Sequence, residues 1–247
     1  MKKIYKILSF ITVTAVILVS CSKQNANQGI QPAAVTPSGL HTYGLLPPNP
    51  AHYINVPVYD AMQIKAMFSG SIKNRNSSVE TLPSTFSLVT PAVRNQEQIG
   101  SCTGFCGTAA NEITQYYKNG TWGSILSPLY LYYAERVKIE GYRISADPGA
   151  EMVDIPEALQ KYGECIETDY AYPVNANQTA GPNSKAYRTA PNSAAVSNAL
   201  LYKIGQSSAN YGMVAQGDIT TVKTLLSENI PVCMGFNVYD NSRYSLF

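Results

Sequence analysis

No histidine follows residue 52 in this 247-residue chain, and only two are present, His41 and His52. No later position can therefore supply an imidazole base. Charge is scarce as well: 14% of residues are charged, against roughly 25% in an average soluble domain. The formal net charge is +2 and no Lys/Arg cluster stands out, which argues against nucleic acid as a partner. The close CxxC pairs of common zinc sites are missing, which disfavours a metal site built from Cys102, Cys106, Cys165 and Cys233. No long charged amphipathic helix occupies 22–81. Both histidines lie in an N-terminal linker-like region, where such a side chain is ordinarily just solvated, and neither is assigned a catalytic role.

The N-terminus carries a clear pattern. Lys2, Lys3 and Lys6 form a basic head before an apolar run from Ile7 to Val19. That run is too short for a comfortable membrane span and reads as the core of an export signal. Leu18-Val19-Ser20-Cys21 resembles the bacterial lipobox. The resemblance implies removal of 1–20, lipidation of Cys21 and an exported protein anchored to the bacterial cell envelope, at the outer membrane or cell surface. Multiple acyl chains on Cys21 would hold it there far better than one.

From Ser22 to about His52 the chain is rich in Asn, Gln, Pro, Gly and Ala and reads as a tether. Roughly 60 residues separate Cys21 from the ordered pattern near Leu82, a random-coil reach of about 45 Å. Tyr53 to Gly70 is more apolar and suits a short pro-segment. The expected organisation is signal 1–20, tether and pro-segment 21–81, and one folded domain over 82–247.

Four helices carry physical punctuation. Cys102 to Lys118 has helical apolar spacing and stops at Asn119-Gly120. Ser127 before Pro128 is an N-cap with proline in the first turn, opening Leu129 to Ile139. Asp154 with Glu157 has the spacing of a capping box for Ile155 to Tyr162. Asp218 opens a run that ends before Pro231. Next, Val232, Met234, Phe236 and Val238 alternate with Cys233, Gly235, Asn237 and Tyr239. This predicts a strand buried on the Val232/Met234/Phe236 face. A lone amphipathic strand close to Phe247 lacks partners, so the sequence reads as cut short.

The chemistry-bearing stretch is Gln96 to Phe105. It places Cys102 at the mouth of a helix, six residues after Gln96. A thiolate is the attacking species, and a helix N-terminus favours it through exposed N–H groups and dipole. Gly100 allows close backbone approach. The Cys102 N–H and the Gln96 amide can serve as two donors to an oxyanion. A cysteine there can equally be a small buried hydrophobe, and the surrounding motifs decide between the two.

Those motifs resemble the papain-like cysteine peptidases, in their bacterial branch. Leu82-Pro83, Ala92-Val93-Arg94-Asn95-Gln96 and Gly100-Ser101-Cys102 follow the family's opening order. Ser127-Pro128-Leu129-Tyr130-Leu131 looks like its second helix. Ala158 to Gly163 with Asp169-Tyr170-Ala171-Tyr172-Pro173 looks like its passage from helix to Tyr-Pro. Val222-Lys223 through Pro231-Val232 and Gly235-Phe236 resembles the entry to its second lobe. Thr103 replaces an aromatic residue that often follows the nucleophile, and Ile99 replaces a cysteine.

The resemblance implies an α+β, two-lobe fold with the helical lobe present and the β lobe only partly so. It implies Cys102 as nucleophile, Gln96 as oxyanion donor, a peptide or protein substrate and no cofactor. The family's histidine and asparagine are expected roughly 130–150 residues beyond the nucleophile, so this chain is expected to be an inactive part of the enzyme. Asn237 and Asn241 precede any histidine and take no role. Cys106 reads as core packing, and a Cys165–Cys233 bridge stays open. Two other readings are kept: a non-catalytic papain-like lipoprotein that binds a partner, and a transferase using the same thiol chemistry.

Overall fold

The computed structural model describes residues 16–20, 44–69, 84–97, 99–172, 186–205 and 211–236. Cys21, His41, Asn237, Asn241 and the remainder of the tether lie outside the described residues.

The central element is α3, Cys102–Asn119, closed by Gly120 in the left-handed region at φ 73° with its N–H on the Tyr116 carbonyl. Glycine suits this position because a Cβ there is strained. Against α3 packs α4, Pro128–Tyr133, opened by Ser127, whose hydroxyl oxygen accepts the Tyr130 N–H. The expected single helix to Ile139 instead widens into a π-helical turn at Ala134–Ile139, with the Glu140 N–H reaching the Glu135 carbonyl. The wider turn accompanies the burial of two consecutive charged residues, Glu135 and Arg136, both 0% exposed.

α5, Asp154–Lys161, packs its apolar face on α3 and α4. Its predicted capping box does not form. Asp154 is already helical, because its carboxylate turns back to accept the Glu151 N–H at 2.7 Å. Glu157 pairs instead with Lys161 at 2.5 Å. Leu131, Ala134, Ile155, Ala158 and Leu159 form the main core with Ala110 of α3. A short helix absent from the sequence expectations, α6 (Ser193–Ala199), is capped by Asn192 and buries Ala195 and Ala199 against Cys165 and Tyr130.

A parallel sheet has the order β2-β3-β1-β4. Its strands are β1 (Val16–Ser20), β2 (Val58–Tyr59), β3 (Tyr211–Val214) and β4 (Val232–Gly235). β1 pairs Ile17 with Gly212 on one side and Leu18 with Cys233 on the other. Helix α7, Ile219–Ser227, crosses from β3 to β4 and is capped by Asp218, which accepts the Thr221 N–H.

β4 corrects an expectation. Its two-residue period is present, but the buried residues are Cys233 and Gly235, while Met234 and Phe236 are 59% and 64% exposed. The inner face lies too close to its neighbours for large side chains. Cys233 Sγ sits 3.6 Å from the Cys106 carbonyl, and a Cβ on Gly235 would meet Leu45 Cδ2 at 2.6 Å.

The described residues include the end of the stretch read as a tether and, up to Ser69, the apolar stretch Tyr53 to Gly70 that follows it. Residues 44–46 lie along Gly149-Ala150, followed by α1 (Pro50–Tyr53) and α2 (Ala61–Ser69). Ile64 of α2 is fully buried with Val214, Leu225 and Ile230.

Candidate active site

Cys102 is the first residue of α3 and is partly buried. The loop before it is held from several directions. Gly100 donates its N–H to both Asp147 oxygens, at 3.2 and 3.1 Å. Tyr132 donates its hydroxyl to Asp147 at 2.5 Å and accepts the Gly149 N–H at 3.1 Å. Ser101 exchanges a 2.6 Å hydrogen bond with the Tyr172 hydroxyl, which also donates to the Gln96 carbonyl at 2.6 Å. The residue just after Cys102 is tied down too: Thr103 donates to buried Glu135 at 2.6 Å.

The loop carrying Asp147 is itself fixed by Arg136. Its guanidinium donates to the carbonyls of Ile144, Ala146 and Tyr187 and stands over the rings of Tyr132 and Tyr187. A buried cation thus orders the loop whose carboxylate positions Gly100. Sequence reading missed Asp147, Arg136 and Glu135. The one signal for the first was the Asp147-Pro148-Gly149 turn pattern.

Gln96 lies on the same loop, and its amide donates to the Ile99 carbonyl at 3.3 Å. An amide nitrogen carries two hydrogens, so this long bond occupies one of them. No hydrogen bond joins the Gln96 side chain to the Cys102 thiol among the described residues.

A strap crosses the thiol. Gly44 accepts the Ala150 N–H at 2.9 Å, and Leu46 donates to the Ala150 carbonyl at 2.9 Å, so Leu45 runs parallel to Ala150. The backbone N–H groups of Thr103 and Gly44 both draw the Cys102 thiol pKa down. The approach is tight enough to require glycine. A Cβ on Gly44 would stand 1.8 Å from the Gly100 carbonyl oxygen.

No protein-family model matches the chain, and no curated protein does. Solved structures do. Over 78% of its length the chain is similar to xylellain, a cysteine protease from Xylella fastidiosa, with a TM-score of 0.57 and 27% identity. It spans 65% of that protein's length. The digestive procathepsin L 3 of Tenebrio molitor larval midgut matches at a TM-score of 0.40 and 18% identity, over 62% of this chain and 44% of that one. The fold is papain-like.

In this papain-like frame the acidity of the thiol is set mainly by its burial. Burial, then the charge of Glu135, pushes the Cys102 thiol up to about 11, against the pull of the Thr103 and Gly44 N–H groups. The helix N-terminus alone does not deliver a thiolate here. Glu135 is itself pushed up to about 8 by its burial, so near neutrality it largely holds a proton.

The other cysteines take structural places. Cys102, Cys106, Cys165 and Cys233 are all free, so the Cys165–Cys233 bridge is not made. Cys233 lies instead beside Cys106, its thiol donating to the Cys106 carbonyl at 3.6 Å. The four do not gather as a metal-ligand group among the described residues. His52 is exposed, as a linker histidine would be, but it has partners. It follows the N-cap Asn49 on α1, and its Nδ1 lies 3.0 Å from Glu151 and 3.7 Å from Glu140.

Proposed function

We propose that this chain belongs to an exported cysteine-type peptidase, with Cys102 as nucleophile and Gln96 with the Cys102 N–H as oxyanion donors. The observation that carries the reading is Cys102 at the first turn of α3, within a fold shared with a cysteine protease. In the reaction, the thiolate adds to the scissile carbonyl, the amine leaves with a proton, and water hydrolyses the thioester. The proton transfers need a base, and no histidine follows Cys102. The polypeptide Met1–Phe247 alone therefore hydrolyses peptides little or not at all, since loss of the base in a comparable serine enzyme costs on the order of a millionfold.

In this reading Tyr53 to Gly70 acts as a pro-segment, extended upstream by residues 44–52. Its support is the strap of Gly44–Leu46 against Gly149-Ala150, over the nucleophile. Export and lipidation at Cys21 belong to the same proposal and rest on the basic head, the apolar run and the lipobox-like Leu18 to Cys21. Cleavage before Cys21 would take β1 from between β3 and β4. Intact-mass analysis of the membrane fraction decides whether 1–20 is removed and acyl mass is added.

The deciding experiment uses the source gene read to its own stop codon. If the frame continues past Phe247, the encoded protein is expected to take up a peptidyl chloromethyl ketone at Cys102 and to lose peptide cleavage on Cys102→Ser. A second reading, a non-catalytic binding module, is favoured by the partial burial of Cys102, which raises its thiol pKa. It is the one left standing if that protein neither labels nor cleaves.

A further inference from the structure

Away from the thiol, the strap is tied to the helical lobe by a second cluster. His52 Nδ1, Glu140 and Glu151 offer ligand atoms that all lie within 4.8 Å of one another. The shortest approach is 3.0 Å, from Nδ1 to Glu151 Oε1, and Glu140 Oε1 stands 3.7 Å from the same nitrogen. Donor atoms around a cation with bonds of about 2.1 Å sit roughly 3 to 4.2 Å apart. Small rotations of the half-exposed His52 ring and of Glu140 close the remaining distance.

A second observation separates this group from an ordinary ion pair. Asp154 is 0% exposed, and its Oδ1 has no hydrogen-bond partner. Its carboxyl faces Glu140, whose own Oε1 is likewise buried without a hydrogen-bond donor. Among the described residues, His52 is the cationic group paired with these carboxyls, with the Tyr53 and Tyr142 hydroxyls nearby. Buried carboxyls without partners cost free energy.

We propose that His52, Glu140 and Glu151 form a site for a first-row divalent cation, backed by Asp154, that fastens the strap to the helical lobe. One imidazole with carboxylate oxygens suits zinc, cobalt or manganese better than calcium, which takes only oxygen ligands. Glu151 already holds the strap by accepting the Asn49 N–H at 2.8 Å, so a cation on its other oxygen adds a second tie. Asn49 stands 3.3 Å from His52 Nε2, and loading moves the ring proton to that nitrogen, turning its partner from amide nitrogen to oxygen or water. Neither the residues nor the test depends on peptidase activity, so the two readings fail separately.

The test is cobalt binding to the purified full chain after chelation, read by visible absorption and titration calorimetry. Expected are one Co²⁺ per chain, d–d bands without a sulfur-to-cobalt charge-transfer band, and no displacement by excess Mg²⁺. His52→Ala, which removes a half-exposed ring, and the isosteric Glu151→Gln should each weaken binding at least about tenfold. Failure of stoichiometric uptake, a sulfur charge-transfer band, or undiminished affinity in His52→Ala overturns the site.

Discussion

Gly44 and Gly149 meet backbone to backbone beside the candidate nucleophile, where a Cβ on Gly149 would stand 2.0 Å from the Gly44 carbonyl oxygen. Gly149 also sits at φ 91°, a conformation that favours glycine. The contact lets residues 44–46 run along 149–150 with both backbone hydrogen bonds near 2.9 Å. It also brings the Gly44 backbone near enough to draw the Cys102 thiol pKa down.

Gly44→Ala should lift the strap. Its Cβ would collide with the Gly100 backbone, which Asp147 holds in place, so the strap's two edge hydrogen bonds yield first. Alkylation of Cys102 by iodoacetamide, followed by peptide mass spectrometry, should speed up on the order of tenfold, the factor that about 1.4 kcal/mol gives. An unchanged rate would show that the strap does not limit access.

Asp147→Asn should destabilise the protein by about 1–3 kcal/mol, because a carboxylate serving Gly100 and Tyr132 is replaced by an amide. Urea unfolding should show a lower midpoint with an unchanged slope. A shift within error of zero would remove Asp147 as the organiser of the loop.

Stability should fall as pH rises from about 4.5 to 8. The folded-state pKa of Glu135 is raised from an ordinary 4.5 to about 8 by burial, so the folded chain keeps a proton that the unfolded chain releases. The advantage of the protonated form is full below the lower value and is lost as pH rises through the upper one. Glu164, also pushed up to about 8 by burial, adds in the same direction. Each can contribute a slope of up to about 1.4 kcal/mol per pH unit. Glu135→Gln should flatten the profile measured by thermal melts at constant ionic strength, and a profile as steep as the parent's would refute the assignment.

Gly104→Ala should cost about 1–3 kcal/mol despite alanine's better helix propensity. The added Cβ would lie 2.5 Å from the Pro128 carbonyl oxygen and 3.0 Å from Tyr132 Cβ, forcing α3 away from α4. Gly123→Ala is the control, since its nearest neighbour is Gln115 Oε1 at 3.5 Å. Equal melting temperatures for the two variants would contradict this account of the helix contact.

The helices that were legible in the sequence are those with local punctuation. Ser127-Pro128, Asn119-Gly120 and Asp218 act on N–H and C=O groups within a turn of themselves, so their effect needs no partner. Asp154 and Glu157 had the right spacing for a cap, yet Asp154 went to the Glu151 N–H. α6 escaped notice because its seven residues carry too little apolar periodicity, and its burial depends on Cys165 and Tyr130 from elsewhere. His52 looked like a linker residue because Glu140 and Glu151, its partners, lie far along the chain.

By itself the sequence determined the element that carries Cys102, the helices punctuated by their own caps, and the family likeness that these motifs compose. Those features follow from local backbone preference and from short-range order. The tertiary structure alone decided which face of β4 is buried, that Asp147 and Arg136 hold the loop before Cys102, and that residues 44–46 lie over the thiol. It also decided the thiol's pKa, because desolvation and the charge of Glu135 come from side chains that only folding brings to Cys102.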